Sequence, residues 1–273
     1  MTNAAELLSH KEKKSSAQDN RSSLFVGSVE KCFFVLNAFH QSKRPLSLTE
    51  VALKTGLGKS AAQRFCYALV EMGYLEREAD SRRMFPSAKL MEFSYTFLRS
   101  DPVNTLAAPH LLRARETCGQ AVNLALPMDQ DVIYVARLPS FHSSIVSPIV
   151  GGRAPMFCTA SGRAYLSTLP DKERAKILKE SDIRNLTPHT ITDNAEILRR
   201  INDVSNKGYT IAVQECIIGE ISIGAPIFGA GRQGVGAINI CVTMPNWTVE
   251  RVEAELAPII CQTAHDITVA LAN

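Results

Sequence analysis

The chain has 273 residues, 45% hydrophobic and 21% charged, which is ordinary globular composition at a length that accommodates two separate cores. No apolar run approaches the roughly 20 residues of a membrane span, and the N-terminus lacks the apolar stretch of a secretory signal. The seven cysteines are odd in number, dispersed and without a Cys-x-x-Cys pair. That argues for reduced thiols in a cytoplasmic protein, and against a disulfide frame or a zinc site.

Charge is uneven along the chain. The first 100 residues carry 15 Lys+Arg against 10 Asp+Glu, and the remaining 173 carry 15 against 17. A basic N-terminal third on a mildly acidic remainder suits a nucleic-acid module attached to something else. Residues 1–23 are polar, include Lys11-Glu12-Lys13-Lys14, and read as a disordered arm.

A first helix is expected over Val29–Phe39, capped by Ser28 and packing through Val29, Phe33 and Leu36, with Val35 a further candidate. Leu46–Leu48 is long enough for one short strand. A helix over Glu50–Thr55 follows, with Thr49 as its cap, and Gly56-Leu57-Gly58 supplies a tight turn. The second helix of the pair spans about Ser60–Met72 and ends at Gly73. Ala61, Phe65, Leu69 and Met72 recur at helical spacing, which predicts the buried stripe. The other face shows Lys59, Ser60, Ala62, Gln63 and Arg64, short or polar or basic residues able to meet base edges in a major groove. Two strands near Tyr74–Arg77 and Arg83–Phe85, joined by Glu78–Arg82, make a wing with Arg82 and Arg83 at its tip. The pattern is a winged helix–turn–helix. Its candidate DNA-binding residues are Thr49, Lys59, Ser60, Ala62, Gln63, Arg64, Arg82 and Arg83, with Gln63 suited to adenine and Lys59 and Ser60 to phosphate.

Ser87–Leu98 is helical in pattern, with Leu90, Phe93 and Phe97 on one side, and Asp101-Pro102 stops it. A helix over Val103–Thr117 ends at Gly119. Strands are expected at Ala121–Leu126, Val132–Arg137 and Ile145–Val150, then helices at Ser161–Ser167, Lys172–Lys179 (capped by Asp171) and from Asp193 or Asn194 to Asn206. Three more strands follow at Tyr209–Gln214, Glu220–Phe228 and Gly234–Val242, and a helix over Val249–Leu271 that Pro258 bends. Six strands with helices before, among and after them predict an antiparallel α+β sensor domain. The expected organisation is a disordered arm (1–23), a winged helix–turn–helix (24–86), a linker helix (87–101) and an effector-binding domain (102–273).

An enzyme is the main rival class. Yet no G-x-S-x-G elbow, H-E-x-x-H, Walker loop or G-x-G-x-x-G after a strand is present. A second rival is a ligand-binding module that acts through protein contacts, with the winged helix used for docking.

Several segments in this order and spacing resemble the IclR family of bacterial transcriptional regulators over residues 25–271. They are Gly27–Lys31, Leu46–Ala52, Gly73–Leu75, Asp131–Arg137, Gly151–Pro155, Thr159–Arg163, Gly208-Tyr209 and Gly224–Phe228. Pro155–Arg163, Leu186–Asp193 and Ala237–Asn239 are most similar to the branch that controls aromatic-acid degradation, the 4-hydroxybenzoate and protocatechuate type. The resemblance implies a GAF-like effector domain, a dimer or tetramer on a pseudo-palindromic operator in double-stranded DNA, a small organic acid as input, and no cofactor. It places the effector pocket at Ala160, Ser161, Ser222, Asn239 and Cys241, with Val146 and Ala154 on the apolar wall.

Those residue types fit an anion site of modest polarity. Ser161 lies where a helix begins, and Asn239 and Cys241, two apart on a strand, share a face. Ala212 stands where some family members sensing short keto-acids carry Asp. With Ser143 and Ala154 also small, a roomier pocket and an aromatic acid are expected; a short keto- or hydroxy-acid is the alternative within the family. Arg153, beside Gly151-Gly152, is expected to tie down backbone carbonyls. His189 is expected to be structural and His142 a solvated loop residue.

Overall fold

The computed structural model describes residues 24–40, 42, 44–141 and 150–272. The chain parts into two compact units between Tyr95 and Thr96. The expected arm, and the strand expected from Ile145, fall outside the described residues, as do Val146, Ser143 and His142.

In the first unit, α1 (Gly27–His40), α2 (Leu48–Thr55) and α3 (Lys59–Glu71) enclose a core of Val35, Phe39, Leu46, Val51, Ala62, Cys66 and Leu69. Ser47, rather than Thr49, begins α2. Its hydroxyl accepts from Glu50 N at 3.3 Å while Glu50 Oε2 accepts from Ser47 N at 2.8 Å, a reciprocal box that satisfies two otherwise orphaned donors. Gly56 closes α2 at φ 68°, a left-handed angle glycine adopts without strain. On α1, Val35, Ala38 and Phe39 are buried, whereas Val29 and Phe33 face outward, contrary to the expected packing face.

The stripe on α3 sits about one residue from its expected place. Ala62, Cys66 and Leu69 are buried, Phe65 is half-buried beside them, and Met72 is exposed. Strands β1 (Leu75–Arg77) and β2 (Met84–Pro86) pair antiparallel. Leu46 adds a single bridge to Met84, not a full strand. A 3-10 turn (Ala88–Leu90) capped by Ser87 leads into α4 (Met91–Ser100).

The second unit is built on a six-stranded antiparallel sheet in the order β5-β4-β3-β8-β7-β6. The strands are β3 (Ala121–Met128), β4 (Asp131–Leu138), β5 (Arg153–Pro155), β6 (Thr210–Val213), β7 (Glu220–Phe228) and β8 (Gly234–Thr243). Alternation along β7 and β8 sends Ile221, Ile223, Ile227, Ile238 and Ile240 to one face. There α5 (Pro102–Cys118) and a C-terminal pair, α9 (Val249–Glu255) and α10 (Ala257–Ala272), cover them. The break between α9 and α10 falls at Leu256, which places Pro258 in the first turn of α10, where a missing N–H costs nothing.

The opposite face carries Ser222, Gly224, Asn239 and Cys241 beneath α6 (Ala160–Leu166). Beside it lie α7 (Asp171–Glu180) and α8 (Asn194–Lys207), which contribute Leu178, Ile197 and Ile201 to a second core. Pro170, not Asp171, precedes α7; Asp171 lies in its first turn and pairs with Arg174 at 2.8 Å. Asp193 caps α8 through Glu196 N at 2.8 Å. Helix α6 sits directly on β7. A Cβ at Gly224 would lie 2.7 Å from the Ala160 carbonyl, and one at Gly162 would lie 2.2 Å from Met156 Cα. Gly224 therefore sets the closeness of the α6–β7 seam, and Gly162 lets α6 fold tightly against the segment that leads into it.

Candidate nucleic-acid interface and effector cavity

The packing of α3 decides which side chains it can offer. Because Ala62, Cys66 and Leu69 face the core, Lys59, Ser60, Gln63 and Arg64 are all exposed. Ala62 is 0% exposed and is removed from the candidate DNA contacts: it packs the helix pair together. Tyr67, 56% exposed and one turn beyond Gln63, takes its place on the outer flank. Its i+4 spacing from Gln63 is the signal in the sequence that puts it on that flank. No acidic residue stands in the first turn of α3. The flank is thus basic and hydroxyl-bearing, able to meet phosphate at its start and base edges along its length.

The two wing arginines differ. Arg82 is exposed at the turn, with φ 54°. Arg83 is half-buried and turned back: its Nη1 lies 2.7 Å from Glu50 Oε2 and donates to Pro45 O at 3.2 Å. It braces the wing on α2 rather than reaching outward with Arg82. Glu50 also accepts from Arg44 at 2.6 Å; the Ser47 backbone N–H first, then Arg44 and the Ser47 hydroxyl, with Arg83 adding least, hold its carboxyl at about 2. Thr49 is exposed in the first turn of α2, free of the capping role expected for it.

In the second unit, a cavity of about 60 Å³ lies between α6 and the sheet. Ala154, Ala160, Ser222 and Cys241 line it as expected. Ser161 and Asn239 lie immediately behind: Ser161 donates to Asn239 Oδ1 at 3.0 Å, and Asn239 Nδ2 donates to Ser222 Oγ and to Cys241 Sγ, each at 3.0 Å. Both are fully buried and act as a relay that orients the lining hydroxyl and thiol. Asn123, opposite Asn239 in the sheet register, donates to Cys241 Sγ at 3.6 Å, and among the described residues its Oδ1 has no hydrogen-bond partner.

The lining also includes Tyr134, Cys158, Thr159, Gln214, Glu215, Cys216, Ile217 and Glu220, none of them among the expected pocket positions. Tyr134 alternates inward on β4, and burial pushes its phenol above the usual range. Glu215 is not free to meet a ligand as a bare charge. Arg163 Nη1 and Nη2 reach its two oxygens, each at 2.6 Å, while Arg163 Nε donates to Phe157 O at 2.8 Å. Burial raises the Glu220 carboxyl to about 7, against the lowering influence of the Cys241 side chain and the Arg137 charge. Arg153 donates to Met128 O at 3.2 Å and pairs with Asp129 and Asp131, tying down the β3–β4 turn as expected rather than entering the cavity. His189 lies in the Thr187–Thr190 turn, its N–H donating to Thr187 Oγ1 at 3.1 Å.

Among the described residues no helix is long and apolar enough to cross a membrane, and no cluster of His, Cys, Asp or Glu is arranged to hold a metal ion.

An exposed reading helix on one unit and a small, mainly apolar cavity bearing a few polar side chains within another define a ligand-responsive DNA-binding regulator. Residues 28–79 match the IclR helix–turn–helix domain, and residues 95–269 match the bacterial transcriptional regulator IclR C-terminal domain. The chain belongs to the IclR family of bacterial transcriptional regulators.

Among its relatives, the Pca regulon regulatory protein of Pseudomonas putida is 28% identical over 244 residues, 89% of this chain and 83% of that protein. The p-hydroxybenzoate hydroxylase transcriptional activator of Acinetobacter baylyi is 26% identical over 262 residues, 92% of this chain and 94% of that protein. A crystal structure of a transcriptional regulator from Rhodococcus sp. RHA1 superposes with a TM-score of 0.78 at 31% identity, covering 91% of this chain and 99% of that one.

Proposed function

We propose that this regulator binds a pseudo-palindromic operator as a homodimer or tetramer in the cytoplasm, with α3 in the major groove and Arg82 at the flanking backbone. A winged helix–turn–helix over 24–86 and a linker over 87–101 would carry the effector domain from 102 onward. The observation that carries the reading is the outward flank of α3, where Lys59, Ser60, Gln63, Arg64 and Tyr67 are exposed together. Twofold symmetry would present two such helices to two half-sites.

The input is a small aromatic acid of the p-hydroxybenzoate class. Two of the relatives above, one of them named for p-hydroxybenzoate hydroxylase, support that class. So does the small side chain at Ala212. The ligand acts by binding and not by turnover: its effect on the DNA-binding state equals its differential affinity for two arrangements of the protein, about 1–3 kcal/mol.

The compactness of the cavity favours a second reading, a keto- or hydroxy-acid of few carbons, since small-molecule pockets usually span about 300–1,000 Å³.

Gel shift with a DNA fragment from upstream of its own gene tests the first claim. Absence of binding at low salt, with and without p-hydroxybenzoate, would remove it. Thermal-shift screening separates the two effector readings: stabilisation by short keto-acids and none by aromatic acids would leave only the second.

A further inference from the structure

We infer that Cys158 and Cys216 form an oxidative cross-linking site, a thiol pair that a hydroperoxide converts to a disulfide across the wall of the effector cavity. Their sulfurs lie 3.2 Å apart, and Cys216 also donates to the Cys158 carbonyl at 3.4 Å. A disulfide needs about 2.05 Å, so closure requires a shift of roughly one ångström. The two residues sit 58 positions apart, one just before the cap of α6 and the other in the turn between β6 and β7.

Neighbouring bonds hold both partners in place. Glu215, adjacent to Cys216, is clamped by Arg163, and its carbonyl accepts from Thr190 Oγ1 at 2.7 Å. Thr159, adjacent to Cys158, caps α6. Among the described residues no other two cysteine sulfurs lie within hydrogen-bonding distance. Cys158 is fully buried and Cys216 half-buried, so Cys216 meets the oxidant first.

The electrons balance in two steps. Cys216 sulfur attacks the peroxide oxygen, the O–O bond breaks, and the thiol proton leaves with the departing oxygen as water or an alcohol. Cys158 sulfur then attacks the resulting sulfenic acid, the S–O bond breaks, and the hydroxyl departs with the second thiol proton as water. Two thiols are oxidised and one hydroperoxide is reduced. Cys158, burial, Glu215 and Glu220 all hold Cys216 in its protonated form, so the pair answers sustained rather than brief exposure.

Both sulfurs line the cavity. The bond would draw the 214–219 turn toward α6 and leave less room for a ligand; this consequence rests on the effector reading above, whereas the cross-link does not. The test treats the full-length protein with hydrogen peroxide, blocks remaining thiols, and maps disulfides by peptide mass spectrometry. A Cys158–Cys216 linked peptide, absent after reductant and absent from Cys216→Ser, is expected; its absence from oxidised wild type overturns the proposal. Thermal stabilisation by p-hydroxybenzoate should fall in the oxidised protein and return when the same sample is reduced. Undiminished stabilisation of the linked protein overturns the cavity-blocking claim. If the reduced protein shows no stabilisation at all, it is the aromatic-effector reading that fails, and the cross-link stands or falls on the peptide map.

Discussion

Arg163 and Glu215 meet as a parallel two-bond pair, each contact 2.6 Å, with side chains 0% and 3% exposed. The arginine belongs to α6, which roofs the cavity, and the glutamate to the turn that walls it. Their union fixes the distance between roof and wall. Replacing one partner strands the other charge in the interior. Arg163→Met should cost about 3–5 kcal/mol of stability in the second unit. Chemical denaturation of the full-length protein checks this, and a double variant with Glu215→Leu should regain much of the loss. Equal stability of Arg163→Met and wild type would contradict the pairing.

The orientation of α3 makes neighbouring residues behave oppositely. Gln63→Ala should leave the melting temperature unchanged, weaken operator binding by about 1–3 kcal/mol and relax base preference at one position. Ala62→Leu should instead destabilise the first unit by about 1–3 kcal/mol, because a buried site has no room for the larger side chain. Fluorescence anisotropy on an operator duplex, paired with thermal melts, separates the two.

The wing should divide in the same manner. Arg82→Ala is expected to reduce the slope of log affinity against log salt by about one. Arg83→Ala should act mainly through the bond it makes to Glu50. That carboxylate, held at about 2 in the folded state, stabilises the first unit above its unfolded pKa near 4.3. The contribution is lost as the pH falls from about 5 toward 2. Acid titration of Glu50→Gln should therefore show a shallower loss than wild type, whereas a changed salt slope in Arg83→Ala would move Arg83 onto the contact surface.

Glu220 carries the opposite sign. Its folded pKa is raised to about 7, so it is protonated more readily folded than unfolded. The stability it contributes is complete below its unfolded pKa near 4.3 and is lost as the pH rises through about 7. Glu220→Gln should flatten that decline and gain on the order of 2 kcal/mol at pH 8. Anionic ligands should likewise bind wild type more weakly above pH 7, and Glu220→Gln with little pH dependence; calorimetry at pH 6 and pH 8 reads both. A wild-type affinity independent of pH would show that Glu220 does not face the ligand.

What the sequence made legible follows from the range of the forces involved. Helix caps, glycine turns and strand alternation act between near neighbours, so Gly56, Asp193 and the strands β7 and β8 could be placed in advance. The α3 stripe is not fixed by spacing alone, since Ala62, Cys66 and Leu69 share that period with Ala61, Phe65, Leu69 and Met72, and the larger Met72 stays exposed. Close helix packing favours the small residues instead. Arg163 and Glu215 are 52 positions apart, and nothing local marks either as buried. The cavity was half legible: Ala154, Ala160, Ser222 and Cys241 line it, but Ser161 and Asn239 turned out to be bonded to each other and to its walls. Tyr134 and Glu220 lay within stretches read only as strands, where a polar residue facing inward was the available hint.

The glycine seam between α6 and β7 has a mechanical corollary. Backbone seated on backbone at Gly224 leaves no cushion of side chains over which layers could glide, so roof and floor travel together as a single stiff plate. A guest molecule entering beneath it must make its space by displacing the hinge-like bend that holds Cys216. Sensitivity to the guest is thereby concentrated in half a dozen residues.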